Sequence, residues 1–360
     1  MRVLIATDCF GTSLTASQAC DIMASNWKIA DPNSEIEAIP LSDGGPGFLD
    51  VLSGLTGART ELVSVADAFG QSIPARIVRL RDVAYIESAE IVGRGRYPEN
   101  SENIRNGSSQ GVGEILKLAS QGASKVVVGL GGTATNDCGV GLLQSLGVLQ
   151  SNQVLSLESF ANSYSGNIES IDLGCEIVIA SDVDNPLLGP TGASAIYAPQ
   201  KGANAQDVEV LEEWMTKAVE KLGRTEIAAI QGAGAAGGIG YALLWLGARR
   251  VSGAQLIAEE VQLAEAISRA DLVVTGEGSF DWQSLRGKVV SAVAYLASRQ
   301  GRPAIVIAGQ VHCGRREYAA LGIESAYAMA QTPDEIARSL NAPAPLLGEL
   351  TQRVARTWSR

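Results

Sequence analysis

The 360-residue chain has a single histidine, His312, and that scarcity removes much chemistry. Ser-His-Asp and Cys-His catalysis are excluded except at that one place, and multi-histidine metal sites are excluded outright. The five cysteines, Cys9, Cys20, Cys138, Cys175 and Cys313, are an odd number without a CxxC pair, so neither a disulfide framework nor a zinc site is expected. A reducing cytosol is the expected setting. Basic runs are also missing: 28 Lys and Arg stand against 39 Asp and Glu, and the net charge of -11 argues against a nucleic-acid partner. The chain opens without a signal-peptide layout, because Asp8 interrupts the first apolar stretch, so a cytoplasmic location is expected. Ile227 to Ala248 carries no charge and is long enough to span a bilayer, but its load of glycine and alanine favours a buried helix, and no membrane role is expected. Carboxylates must then carry any acid-base work.

What is present describes a compact globular protein, with 46% hydrophobic residues, 19% charged residues and 40 glycines. The length exceeds one ordinary core and implies two domains with a cleft between them. Short branched strands alternate with helical stretches at both ends of the chain, whereas Thr60 to Glu87 reads as an antiparallel excursion that starts a second domain. Further along, Glu259 to Arg269 reads as one amphipathic helix and Leu272 to Thr275 as a strand running into a glycine turn.

The stretch from Val126 to Gly147 passes from a β-branched strand through Gly129, Gly131 and Gly132 to Thr133, Thr135, Asn136 and Asp137, and then to an apolar helix. Glycines that let backbone amides approach a ligand, followed by a helix N-terminus, suit an anion. A tight βα connection capped by Asn136 or Asp137 is the plainer alternative. Other strand ends repeat the theme of acid and glycine: Asp8 in the turn TDCFGTS, Asp43 before Gly44 and Gly45, Glu277 between Gly276 and Gly278, and Asp281. Asp182 and Asp184 stand two apart, which on an extended segment puts both on one face; a divalent metal with Asn185 as a further oxygen ligand, or a wet Asp-Asn-Pro turn, explains the pair. Lys201, Arg286 and Lys288 are the nearby cations. Two tempting motifs are weaker. Gly232, Gly234 and Gly237 spell GxGxxG, but the strand before them, Ile227 to Ile230, is short, and close packing of the helix Ile239 to Leu246 is preferred over a dinucleotide site. SLRGK at Ser284 to Lys288 fails the Walker rule, since Trp282 stands where a glycine is needed and Val289 follows the lysine.

This inventory suits metal-assisted phosphoryl transfer, in which positioning and charge neutralisation do most of the work. The motifs then become specific. Gly131 to Asp137 (GGTATND), Asp182 to Pro190 (DVDNPLLGP), Pro199 to Ala203 (PQKGA), Gly232 to Gly240, and Thr275 to Gly278 with Asp281, Gln283, Gly287 and Lys288 resemble those of the type 1 glycerate kinase family, in the same order and across nearly the whole chain.

The resemblance implies an ATP- and magnesium-dependent kinase acting on a hydroxyl of D-glycerate. It implies an α/β fold of two domains around a cleft: a Rossmann-like parallel sheet built from both chain ends, residues 1–59 and 253–360, and an inserted mixed-sheet domain, residues 60–252. Carried onto matching positions, the expected catalytic residues are Asp182, Asp184, Lys201 and Lys288, with Asp184, Glu277 and Asp281 as metal ligands. Asp8, Ser13, Asp43, Gly131, Gly132, Thr133, Thr135, Asn136, Asp137, Asn185 and Arg286 are expected to bind substrate or nucleotide. Either Asp182 or Asp184 serves as base or magnesium ligand, Glu277 and Asp281 being second candidates. The expected partner is a small hydroxy acid, and a homodimer stays open.

Two departures fall near the N-terminus. Where the family has Asp-Ser-Phe-Lys-Gly-Ser, this chain has Asp8-Cys9-Phe10-Gly11-Thr12-Ser13 and lacks the lysine; where it has Asp-Gly-Gly-Glu-Gly-Thr, this chain has Pro46 and Phe48. A kinase for a different hydroxy acid, with Phe48 making the pocket less polar, and a non-catalytic paralogue that binds nucleotide or acid are the alternatives these losses leave.

Overall fold

The computed structural model describes residues 1–359 and divides them into two compact units, each with its own sheet. Among the described residues the strands are β1 (Arg2–Thr7), β2 (Glu35–Pro40), β3 (Arg59–Ala66), β4 (Ser72–Leu80), β5 (Val83–Glu87), β6 (Lys125–Gly129), β7 (Glu176–Ala180), β8 (Arg249–Val251), β9 (Leu272–Phe280), β10 (Ala304–Val311) and β11 (Ile323–Ala328). The fold is α/β, as its alternating pattern predicts.

The first unit holds Met1–Asp43, Asp50–Leu55 and the chain from Ser252 onward. Its five strands run parallel in the order β11-β10-β9-β1-β2, so both chain ends build one sheet. Side chains alternate between faces. Ile305 and Ile307 pack with Val3, Ile5, Met23, Trp27, Leu350 and Val354 on one face, whereas Val306 and Ala308 pack with Phe280, Val290 and Ala294 on the other. Covering both faces is what makes β1 and β10 read as nearly continuous apolar runs. Helix Ala16–Ala30 starts at a capping box between Thr15 and Gln18 and lies against helix Pro343–Trp358.

The second unit comprises Gly44–Leu49 and Thr56–Val251. Its sheet runs β3-β4-β5-β6-β7-β8, antiparallel through β5 and parallel from there, which is the mixed sheet expected from the excursion after Thr60. Helices Gln110–Ser120, Ala205–Leu222 and Ile239–Trp245 contribute to a single core that includes Val126, Val128, Ile179, Leu211 and Tyr241.

Several local expectations are corrected. The strand expected to stop at Thr275 continues to Phe280, because Gly276 and Glu277 pair with Ile307 and Ala308, and a side chain at Gly276 would collide with the Ile307 carbonyl. Glu277 therefore sits in a strand, not in a turn. The helix expected over Glu259 to Arg269 is two helices, Gly253–Glu260 and Leu263–Arg269, broken at Gln262 with φ 54°. Ile227 to Ile230 is no strand: Ile227 to Ala229 end the 3₁₀ turn Thr225–Ala229 and Ile230 follows it, which removes the context a dinucleotide fingerprint needs. The neighbouring glycines are packing glycines instead: a Cβ at Gly237 would collide with the Thr135 carbonyl. Among the described residues no helix is long and apolar enough to cross a membrane.

Candidate active site

In the first unit, β9, β1 and β2 lie side by side, and their carboxyl ends bring chemistry together. Thr7 fastens this edge, its hydroxyl donating to the Gly276 carbonyl at 2.7 Å, while the Asp8 N–H donates to the same oxygen at 3.0 Å. Asp8 follows β1, Asp43 follows β2, and Glu277 lies inside β9. Lys288 stands at the start of helix Val289–Arg299, whose first turn has no side-chain cap. A lysine and a helix N-terminus without a side-chain cap there favour an anion.

These groups alter one another's ionisation. Burial, then Asp43 and Glu277, raise the Asp8 carboxyl well above its ordinary range, against a 2.7 Å hydrogen bond from the Cys9 N–H and the charge of Lys288. Glu277 is 7% exposed and its Oε1 has no hydrogen-bond partner among the described residues. Burial pushes this carboxyl up to about 7, with Asp281 and Asp43 adding and Ser284 and Lys288 opposing. Burial alone would lower Lys288, but Asp43, Glu277, Asp8 and Asp281 outweigh it and hold the ammonium above its usual value. Asp281 closes an Asx turn, accepting the Gln283 N–H at 2.8 Å. The Cys9 thiol is pushed far up by burial, Asp8 and Asp43, which makes it inert. Four carboxylates around one lysine form a site short of positive charge.

The second unit carries the turn from Gly131 to Asp137. Thr133, Thr135 and Asn136 are 2%, 0% and 1% exposed, and Thr133 Oγ1, Thr135 Oγ1 and Asn136 Oδ1 all lack partners among the described residues. Buried polar atoms without partners are rare and point to a ligand or water. Lys201, 6% exposed, donates from Nζ to the Thr135 carbonyl at 2.7 Å. Burial, then the nearby Arg94 charge, lower its ammonium to about 7, against a smaller pull from Asp137.

Other expected residues stand differently. Asp137 accepts the Ser109 N–H and hydroxyl at 2.8 and 2.7 Å, and the Gly139 and Gly141 N–H groups at 3.1 Å, so it is engaged within its own turn, while the cap position of the helix that follows is Gly139. Asn185 is likewise engaged, accepting from the Tyr197 hydroxyl at 2.5 Å and donating to the Thr191 carbonyl at 2.8 Å. Asp184 is exposed and paired with Arg250 at 2.6 Å, whose guanidinium also holds the Val183 carbonyl. Asp182 is half-buried just beyond β7, and Ser13 is a half-buried turn residue whose N–H donates to the Phe10 carbonyl at 3.1 Å. The Arg286 side chain lies outside the described residues. Gly131 and Gly132 are not a bare cradle, since a Cβ at either would press on Gly45 or Pro46 within 3 Å. Phe48 lines no pocket: it is 0% exposed, beside Tyr85 and Gly129. Among the described residues no three His, Cys, Asp or Glu converge to hold a metal.

Sequence reasoning missed Glu87, Arg94 and Arg250. Glu87 was visible as an acid at a strand end, but its role depends on Gly47 and Leu49, some forty residues away in the chain. Arg94 and Arg250 sat in no motif.

Known proteins share this arrangement of elements. Residues 3–359 match the glycerate kinase family. The chain is 38% identical over 366 residues to an uncharacterized protein of Mycobacterium tuberculosis, covering 99% of this chain and 91% of that one. It is 32% identical over 377 residues to a glycerate kinase of Halalkalibacterium halodurans, covering 99% of each. A crystal structure assigned as glycerate kinase 2 from Salmonella typhimurium LT2 matches with a TM-score of 0.78 at 30% identity, over 100% of this chain and 98% of that one. With a family match that spans both sheets and their strand-end acids, the chain belongs to the glycerate kinase family.

Proposed function

We propose that this protein transfers the γ-phosphoryl group of ATP to a hydroxyl of D-glycerate. The observation that carries the reading is Glu277, a strand-held, nearly fully buried carboxylate with one oxygen unpartnered, poised near neutrality beside Lys288. A general base works best when its pKa lies near the operating pH, and this one is tuned by burial. Glu277 takes the proton of the glycerate hydroxyl as its oxygen forms the new bond to phosphorus; the bond from phosphorus to the bridging oxygen breaks, and ADP leaves. Lys288 and the helix start behind it neutralise the transferred group.

Magnesium fits this site as a companion of the nucleotide, because Mg²⁺ is usually held by one or two carboxylates plus phosphate oxygens and not by an all-protein cage. Asp43 and Asp281 are the carboxylates that would hold it, and the surplus of acid around Lys288 is the observation that favours a cation there. When bound it supplies neutralisation of phosphate charge.

The test is ATP consumption by purified protein with magnesium and D-glycerate, beside a small panel of other hydroxy acids. Turnover on glycerate that is lost in Glu277→Gln and kept in Asp184→Ala is expected. Turnover confined to another acid, or nucleotide binding without turnover on any acid, defeats the reading.

A further inference from the structure

We infer that Arg94 is a specificity-determining residue that, together with Lys201, takes the carboxylate of the hydroxy acid. This rests on the proposed function and names the part of the protein that reads the acid.

Arg94 is tied to both sides of the turn that carries the unpartnered atoms. Its backbone N–H donates to the Gly132 carbonyl at 2.7 Å, next to the bridge between Gly93 and Thr133. Its Nη1 donates to Gln200 Oε1 at 3.0 Å, and Gln200 precedes Lys201 in the 3₁₀ turn Pro199–Lys201. Its Nε and Nη2 donate to Glu99 Oε1 at 3.1 and 2.9 Å. A guanidinium has five N–H donors in a fixed fork, so further donors remain after these three bonds. Those bonds hold the side chain, 35% exposed, in one place while leaving it a free edge.

The donor set also says what kind of ligand fits. Lys201 and Arg94 are two cations close enough to act on each other, and Asp137, the acid that faces Lys201, is engaged by four hydrogen bonds of its own turn. An anion between them is the missing complement. Asn136 donates from Nδ2 to Ser194 Oγ at 3.2 Å, which leaves its Oδ1 as a buried acceptor. An ionised phosphate has no proton to give that oxygen, whereas a hydroxy acid brings both a carboxylate for the cations and an O–H for Asn136. Thr133 and Thr135 hydroxyls serve either partner.

The experiment is steady-state kinetics of the full chain, varying D-glycerate and ATP separately, for wild type, Arg94→Gln, Arg94→Lys and Glu99→Ala. Loss of one charge-assisted contact should raise KM for glycerate about tenfold or more in Arg94→Gln, with kcat and KM for ATP within about threefold, and Arg94→Lys should recover part of the loss. Glu99→Ala, an exposed change that frees the guanidinium from its carboxylate, should lower KM for glycerate even if Arg94→Gln fails to fold. An unmoved glycerate KM in Arg94→Gln, or in Glu99→Ala where the first variant does not fold, overturns the role of Arg94 while the kinase reading stands. A wild type that never turns over glycerate overturns both.

Discussion

Glu87 holds Leu49 by its backbone: Oε2 accepts the Leu49 N–H at 3.1 Å, while Oε1 accepts the Gly47 N–H at 3.2 Å. A 5% exposed carboxylate at the end of β5 thus fixes the segment Gly44–Leu49, which the chain supplies before β3. The segment fits there because Gly44 adopts φ +95° and a side chain at that position would collide with the Ala180 carbonyl at the end of β7. Glu87→Gln keeps the shape but offers only one acceptor oxygen and turns an NH₂ donor toward an N–H donor. Charge-assisted bonds of this kind contribute about 1.5 to 3 kcal/mol, and the variant should lose an amount in that range. Chemical denaturation of wild type and variant checks this, and indistinguishable midpoints would remove Glu87 from the account.

Phe48 belongs to the core of the second unit. Beside Tyr85, with ring centroids 6.2 Å apart, and fully buried against Gly129, it is a core residue and cannot set the polarity of a pocket. Phe48→Thr, which restores the residue type of the family motif, should destabilise the protein by about 3 kcal/mol through the cavity it leaves. Acid preference across a substrate panel should stay as it is in wild type. A changed preference with unchanged stability would falsify the core assignment.

The contrast between these residues shows what a sequence can carry. Strand positions were readable wherever burial on both faces enforces an apolar run, as in Val126 to Val128 or Ile305 to Ala308. The acids at strand ends were readable because ligand sites in parallel sheets gather there. Roles within the site were not, since they depend on partners far apart in the chain. Asp184 and Glu277 look alike as letters, yet one faces Arg250 at the surface and the other is buried with an oxygen unpartnered. Gly276 to Gly278 look like a turn, and only the pairing of Gly276 and Glu277 with β10 makes them strand. Phe48 could be placed only once Glu87 and Gly129 were beside it.

Glu277 sets a pH dependence for catalysis. As a base it works ionised, so kcat/KM for glycerate should rise with a slope of one below about 7, and loss of the Lys201 ammonium that takes the carboxylate should bring it down again on the alkaline side. Lys288 is among the groups that lower Glu277, so in Lys288→Met the midpoint should move to higher pH as the rate falls. The stability sign follows from the same shift. A carboxyl raised from 4.5 to about 7 binds its proton more tightly folded than unfolded, so its contribution is fully present below 4.5 and is lost as pH rises through about 7. Glu277→Gln should lack that decline. Rate profiles with the same midpoint in wild type and Lys288→Met would separate Lys288 from Glu277.

Lys201 carries the opposite sign. Its ammonium is lowered from 10.5 to about 7, chiefly by burial, so between those values the unfolded chain binds a proton that the folded protein does not. Stability should therefore climb as pH rises from about 7 toward 10.5, and the contribution present above 10.5 is lost as pH falls through about 7. Lys201→Met keeps the length of the side chain, removes the charge and leaves the Thr135 carbonyl without its 2.7 Å bond, so part of the gain at low pH is offset. The variant should still be more stable than wild type below about pH 7, with the difference shrinking steadily to alkaline pH. Denaturation midpoints over about pH 6 to 10 measure it, and parallel curves for the two proteins would count against a buried, titrating lysine. A protein that keeps such a lysine at a loss of stability has a use for its charge. Saturating D-glycerate should accordingly favour the ammonium and shift the climb in wild type toward higher pH, and should shift nothing in Lys201→Met.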